Sequence, residues 1–442
     1  MDHVMKSQMK SGSRRNLLLL VTALCIRLMP AKITMNSVWR DSKDKPIHAH
    51  GGGFLRNEGR WWWYGEGTKN PVGVSEGVNA YSSQSIEGPW RFEGQVLASV
   101  DFSALVGPIA ANSAVVVERP KVVKSESTGQ YVLWCHLDVS ENTAVDTWAN
   151  YVYRRAGVAV SDHPQGPFKP IRALRPNGLE SLDINLFVDG GETYVIRACT
   201  KNQYLGITKL TPDLTQTDGN IVSVLKAKVE GPVLFRDPHD KALYIIASGV
   251  HGWEPGRMHV FRARGKAPTV KGASWDALEG VNPTMHPRSF FSQPTAVLTL
   301  QSAQTNGGKP YLVYVGDNWV FGMPHDASQG FSELALPPAG RFTEKYQAYI
   351  GKLLTWEHTR LPCASYVMLP LFFLSDKDSG RSPRIEFTPE WTSSAPFDKE
   401  TPQSFGCVSG FTSHHEGGIV LCKARDCGRT INDKGKGHGG GG

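Results

Sequence analysis

The sequence predicts an all-β fold, a five-bladed β-propeller, and three observations lead there. Short strand-like runs dominate: "RWWWYGE", "QYVLWCHL", "INLFVD", "ETYVIRA", "KALYIIASG", "QPTAVLTL" and "KPYLVYVGD". Gly, Pro, Asn and Asp clusters part them, as in antiparallel meanders. Glycine (46) and proline (28) are plentiful and 10% of residues are aromatic, which favours a turn-rich β protein over a helical bundle. Finally, "NAYSSQSIEGPWRFEG" (79–94) is echoed by "VAVSDHPQGPFKPIR" (158–172), each a strand, a polar turn and Gly-Pro-aromatic. Self-similarity at tens of residues, with about four strands per unit, is a propeller pattern.

Counting units places the blades at about 46–112, 113–176, 177–228, 229–288 and 289–370. Ahead of them, "MDHVMKSQMKSGSRR" carries Lys6, Lys10, Arg14 and Arg15, and the apolar run Leu17 to Ile26 follows. A basic head before about ten apolar residues reads as a secretory signal and is too short for a comfortable membrane span. Residues 1–40 are therefore expected to be a signal-like segment, with a signal anchor in the secretory pathway as second choice. Residues 41–391 are expected to form the propeller and 392–442 a loop-rich, disordered tail ending in "GKGHGGGG".

Charge and cysteine usage exclude several classes. The formal charge is +7, but Lys and Arg are scattered without a basic stripe, so no nucleic-acid partner is expected. No stable membrane partner is expected either, and a monomer is. Cys135 and Cys199 lie in apolar strand-like runs and read as buried thiols. Cys407, Cys422 and Cys427 surround His414 and His415 at spacings that fit no standard zinc pattern. His48 and His50 have no third ligand nearby in sequence. "HGGG" is followed by no G-x-S-x-G, and no phosphate-binding loop occurs. No metal or cofactor is expected.

Residues 115–123, "VVVERPKVV", pose the functional question. Valines on both sides mark a buried strand, yet Glu118 and Arg119 interrupt it before Pro120, which cannot donate to a ladder. The same interruption recurs at Asp183 in "ESLDINLFV", Glu230 in "KVEGPVLF" and Gln293 in "FFSQPTAVL". The first strand of a propeller blade lines the central channel. Four such residues at corresponding positions near the first strands of blades two to five would converge on one pocket. A single one would be an ordinary salt-bridged strand-end residue.

The motifs "HAHGGGFL", "RWWWYGEG", "YSS", "ERPKVV", "YVLWCH", "GVAVSDHPQGPF", "SLDINLFVDGGETYVI", "EGPVLFR", "SGVHGW", "SQPTAV" and "YVGDNW" resemble glycoside hydrolase family 43. Within it they are most similar to the exo-β-1,3-galactanase (galactan 1,3-β-galactosidase) branch, subfamily 24. Each is weak alone; in this order, over about residues 46–375, they are specific. The resemblance implies a five-bladed propeller and an inverting glycosidase that releases galactose from β-1,3-galactan or an arabinogalactan-type polysaccharide. The alternatives are an α-L-arabinofuranosidase or β-xylosidase of the same family, or a catalytically silent glycan-binding propeller.

An inverting glycosidase needs one group to protonate the leaving oxygen and another to activate water on the opposite ring face. Glu230, flanked by Val229 and Pro232, fits the acid, because apolar surroundings favour the protonated carboxyl. It also matches the family's general acid. Glu118, with Arg119 and Lys121 beside it, is expected to stay ionised; by resemblance it positions the sugar. Asp183 matches the acid that tunes the general acid and binds hydroxyls. Where most family members have an aspartate on blade one, this chain has "HAHGGG" and no carboxylate, and His50 is expected to contact the substrate there. In the resembling branch a glutamine takes the other side of the site, and Gln293 matches it, although a neutral amide is a poor proton acceptor. Tyr151 matches a substrate-contacting tyrosine, and Trp253 and Trp319 are candidate sugar platforms. Glu66, ending "WWWYGE", is expected to bind a hydroxyl. His251 stands where the branch has a small hydroxyl residue. Trp61, Trp62 and Trp63 alternate faces and read mainly as blade packing.

Overall fold

The computed structural model describes residues 33–34, 39–68, 75–111, 113–141, 150–250, 256–265, 269–284, 289–301, 310–318, 365–376, 380–385, 390–391, 411–416 and 419–424. After β1 (Ile33–Thr34), blade one is β2 (His50–Asn57), β3 (Arg60–Thr68), β4 (Ser75–Ser83) and β5 (Arg91–Ala98). Blade two is β6 (Ala114–Lys124), β7 (Tyr131–Glu141), β8 (Asn150–Tyr151), β9 (Arg155–Ser161) and β10 (Lys169–Leu174). Blade three is β11 (Ile184–Asp189), β12 (Glu192–Cys199), β13 (Tyr204–Leu210) and β14 (Thr217–Lys226). Blade four is β15 (Val229–Arg236), β16 (Leu243–Gly249), β17 (Met258–Ala263) and β18 (Trp275–Ala277). Blade five is β19 (Gln293–Gln301), β20 (Pro310–Asn318), β21 (Ser365–Asp376) and β22 (Gly380–Ile385). Each blade is an antiparallel meander, and in blade two β8 and β9 both pair β7 at different heights.

The five first strands, β2, β6, β11, β15 and β19, touch in a closed ring, which is the propeller expected from the sequence. Blade five extends beyond the expected 289–370 because its fourth strand is Gly380–Ile385. In the tail expected to be loop-rich, Phe411–Glu416 pairs with Ile419–Ala424 as a hairpin.

The core lies between blades. One cluster joins blades one and two (Tyr64, Val78, Val117, Leu133), another blades two and three (Val132, Trp134, Ile184, Val195). A third joins blades three and four (Ile196, Ile207, Ile245, Phe261), and the largest joins four, five and one (Phe235, Tyr244, Tyr314, Trp63). Strand alternation explains the tryptophan triplet. Trp62 stacks with Tyr64 toward blade two, while Trp63 turns to Tyr366 of blade five, ring centroids 4.6 Å apart. The repeated Gly-Pro-aromatic turns bury Trp90 and Phe168 in the same way.

Closure joins the two ends of the ring. β1 pairs with β23 (Glu390–Trp391), and Ile33 and Trp39 are buried against blades one and five. Ile33 and Trp39, inside the segment 1–40 expected to be signal-like, are thus packed against the propeller; residues 1–32 lie outside the described residues. The Tyr366 hydroxyl donates to the Ile47 carbonyl at 3.0 Å and accepts from the Ala49 N–H at 2.9 Å, tying blade five to the entry of blade one.

Candidate active site

Four of the five inner strands carry a β-bulge, and it falls at or next to the residue that the sequence singled out. One extra residue stands between His50 and Gly53 on β2, Glu118 and Lys121 on β6, Glu230 and Val233 on β15, and Pro294 and Ala296 on β19. A bulge breaks the ladder locally and re-aims a side chain. This is why a strand can hold a carboxylate where it should be driest. Gly51, Arg119 and Gly231, which follow three of these residues, have φ of 57°, 50° and 59°. That conformation is easy for glycine and strained for arginine. The sequence signal is a Gly or Pro within two residues after each polar residue: "HGGG", "ERP", "EGP" and "QPT".

Each bulged residue faces a polar partner ending the apolar run of the second strand. His50 pairs with Glu66, Glu118 with His136, Glu230 with Ser248 and Gln293 with Asp317. Three of these partners, His136, Ser248 and Asp317, were missed in the sequence. Their signal was present, since "VLWCH", "YIIAS" and "LVYVGD" each end an apolar run on a polar residue, as "WWWYGE" does. Asp183 precedes β11 and is held by its carbonyl, which accepts the Ala198 N–H at 2.9 Å.

Arg119 is the hub. Its N–H donates to Glu66 Oε1 at 2.9 Å, its Nε lies 3.0 Å from Asp183 Oδ2, and its Nη1 donates to the Pro294 carbonyl at 2.9 Å. Its Nη2 donates to Gln293 Oε1. Burial opposes the charge, but Asp183, Asp317, Glu66 and Glu230 outweigh it and raise the guanidinium's pKa. This corrects the expectation that Arg119 and Lys121 attend Glu118. They turn elsewhere, Lys121 donating to the Gly51 carbonyl, while Glu118 receives the Tyr151 hydroxyl on Oε1 and lies 3.0 Å from His136 Nδ1 through Oε2.

Glu230 Oε1 accepts from Gln293 Nε2 at 3.0 Å, and Asn202 Nδ2 lies 3.5 Å from Oε2. Gln293 Nε2 also donates to Ser248 Oγ at 3.0 Å. Because a guanidinium only donates, the Gln293 oxygen must be the atom facing Arg119, which fixes its amide orientation. Asp183 Oδ2 accepts the Gly231 N–H at 2.7 Å beside the acid. Asn202 and Ser248 thus join the site; Asn202 lies in a turn outside any apolar run, so the sequence pattern does not mark it.

Behind this rim His50, Asp317, Glu66 and Lys121 are buried, and His48 is half-buried. His50 has no exposed surface and its Nδ1 is 3.4 Å from Asp317 Oδ1; Asp317 Oδ2 accepts the Gly51 N–H at 2.7 Å. Asp317 therefore supplies, from blade five, a carboxylate beside the position where blade one lacks one. Burial and the nearby Glu118 push Glu66 up to about 8, and burial and Arg119 bring Lys121 down to about 7. Burial followed by the neighbouring His50 lowers His48 to about 4. His50 and Glu66, expected to touch substrate, thus stand in the wall behind Arg119. Trp253, Trp319 and His251 lie outside the described residues.

The ligand atoms of Glu118, His136 and Asp183 come within 4.8 Å of one another, a spacing that could hold a metal ion. The group is already saturated by protein charges: Arg119 pairs with Asp183, and both His136 nitrogens face carboxylates.

Solved structures share this architecture. An exo-β-1,3-galactanase from Clostridium thermocellum is 27% identical with a TM-score of 0.61, over 82% of this chain and 67% of that one. The chain has the fold of family 43 glycoside hydrolases. A family 43 β-1,3-galactosidase solved with galactodeoxynojirimycin is 25% identical with a TM-score of 0.59, over 81% of this chain and 100% of that one. An exo-β-1,3-galactanase variant from Phanerochaete chrysosporium, solved with β-1,3-galactotriose, shares the fold at 23% identity and a TM-score of 0.58, over 82% and 68%. No protein-family model and no curated protein matches the sequence.

Proposed function

We propose that the chain is a secreted, monomeric, inverting glycoside hydrolase that releases galactose from β-1,3-galactan or arabinogalactan-type chains. The observation that carries this reading is the convergence of Glu118, Asp183, Glu230 and Gln293, from four blades, on one hydrogen-bonded site around Arg119. A binding surface alone has no need of an enclosed acid held between two amides. In this reading Glu230 protonates the leaving oxygen. Asp183, receiving the Gly231 N–H, sets the local charge beside the acid, and Glu118 with Tyr151 receives the sugar hydroxyls. Gln293 orients the attacking water once sugar displaces its hydrogen bond to Glu230, and the proton that water releases passes to solvent, from which Glu230 is reprotonated. The solved neighbours with galactotriose or galactodeoxynojirimycin support a galactose-containing ligand. The basic head and apolar run of residues 6–26 support export, and among the described residues no helix is long and apolar enough to cross a membrane.

The test is hydrolysis of β-1,3-galacto-oligosaccharides by purified protein, followed by proton NMR of the first-formed sugar. Release of galactose with inverted anomeric configuration is expected. Cleavage of arabinan or xylan oligosaccharides in its place, or binding of galactan without turnover, would overturn the proposal. A reporter fused behind residues 1–40 should be exported; its retention in the cytosol would refute the secretory assignment.

A further inference from the structure

Blade two carries a buried unit that hydroxyl binding by itself does not require. His136 is 1% exposed and stands opposite Glu118, its Nδ1 3.0 Å from Glu118 Oε2 and its Nε2 2.8 Å from Asp138 Oδ2. Asp138 has no exposed surface, and its Oδ1 accepts the N–H groups of Val139 and Tyr153, each at 2.8 Å. The imidazole meets the Tyr151 ring edge-on at 5.3 Å and 90°, and the Tyr151 hydroxyl donates to Glu118 Oε1. Both oxygens of Glu118 are therefore engaged, Oε2 by the buried His136 and Oε1 by the half-buried Tyr151.

We propose that His136 and Asp138 are positioning residues for hydrolysis: together they hold a buried imidazolium that fixes Glu118 as an acceptor, with its Oε1 turned to Tyr151 and the sugar. Ionised carboxylates only accept hydrogen bonds, so an imidazole set between two of them donates from both nitrogens and carries a positive charge. Burial opposes that charge, but the bonds to Asp138 and Glu118 outweigh it and push His136 up to about 10. The other titratable groups near Glu118 are Glu66 from β3, which is protonated at neutral pH, Asp183 ahead of β11, and Arg119 on its own strand, which pairs with Asp183. The catalytic part of the inference rests on the glycosidase reading; the charge state of His136 does not.

Asp138→Asn separates charge from geometry. The new amide oxygen still receives the Val139 and Tyr153 N–H groups, and its NH2 now faces His136 Nε2. That nitrogen must accept, so the ring becomes neutral while Nδ1–H still donates to Glu118. In wild type, nitrogen-15 spectra at pH 8 should show His136 as imidazolium, identified by the signal lost in His136→Gln. In Asp138→Asn it should be the neutral Nδ1–H tautomer. With galactobiose as substrate, the acidic limb of kcat/KM should move upward by about one pH unit, the lower end of what one nearby opposite charge is worth. A wild-type His136 that titrates near pH 6.5 overturns the proposal, as does an unmoved acidic limb in a variant whose ring is neutral. Activity abolished by EDTA and restored by Ca²⁺ or Zn²⁺ would also overturn it, assigning Glu118, His136 and Asp183 to a cation. If no substrate is cleaved, the spectra still decide the charge, and only the functional reading fails.

Discussion

Replacing Glu230 by Gln removes one proton from the site and little else, which makes it the sharpest probe of the acid. The carboxylate is 9% exposed and receives Gln293 Nε2 on Oε1, with Asn202 Nδ2 at 3.5 Å from Oε2. In the variant, the amide oxygen can keep the bond from Gln293 and the NH2 group then faces Asn202. The Asn202 Oδ1 is buried without a partner, so a flip of that amide presents an acceptor where one is needed. Both contacts survive, and stability should change by less than about 1 kcal/mol, the scale of one net hydrogen bond. Turnover should not survive. General acid assistance is worth roughly 100- to 10,000-fold, or about 3–5 kcal/mol of barrier. Galactose release from β-1,3-galactobiose should fall by that factor, with calorimetric affinity for the disaccharide retained. Aryl β-galactosides carry leaving groups that need less protonation and should lose far less. Equal loss on both substrate classes, with an unchanged melting temperature, would refute the acid role and leave Glu230 a binding residue.

Gly51→Ala forces a side chain into positive φ, 3.1 Å from Arg119 Cα and in collision with Glu66 Oε1. It should cost about 1–3 kcal/mol, and an unchanged thermal midpoint would contradict that. Gln293→Glu sets a second carboxylate where Glu230 Oε1 now meets an amide at 3.0 Å. Such a pair shares a proton, so activity should survive in part with its pH optimum moved upward; an unmoved profile would argue against this contact. Lys121 is lowered to about 7 in the fold from an ordinary 10.5, so between those pH values it is neutral in the fold while still charged when unfolded. Its penalty on stability grows as pH falls from 10.5 to 7 and is constant below. Lys121→Met should therefore gain stability relative to wild type as pH falls through that window. Chemical denaturation at pH 6, 8 and 10 checks the sign, and a flat difference would show that Lys121 is charged in the fold.

The blades were legible because strand chemistry is local. Alternation, turn residues and the Gly-Pro-aromatic echo located the ring, and the polar interruptions of the inner strands marked Glu118, Asp183, Glu230 and Gln293. Partner choice was not legible. "ERPK" places Arg119 and Lys121 beside Glu118 in sequence, yet the bulge between Glu118 and Lys121 turns both side chains toward other blades. His136, Ser248 and Asp317 depend on cross-strand register, which a hydrophobic pattern sets only once the bulge is known. Ile33 and Trp39 fall in the segment that the apolar run before them marks as a leader. Their burial depends on the opposite end of the chain, through β23 and Tyr366.

The site also shows how buried acids are tolerated in one place. Pairing disposes of some: Arg119 meets Asp183, and His136 stands between Glu118 and Asp138. Neutralisation disposes of another, since Glu66 is pushed up to about 8 and remains protonated at neutral pH. Removing one partner of a buried pair strands the other charge, a penalty of about 3–5 kcal/mol. The arrangement is therefore stiff, and its stiffness faces inward. Asp183, Gln293 and Tyr151 keep part of their surface exposed, while Glu66, His50, His136 and Asp138 are enclosed behind them. A sugar thus meets acceptors and donors whose directions are set from the enclosed side by Arg119 and His136. Little reorganisation is left for the moment of binding, which is what preorganised electrostatic catalysis requires.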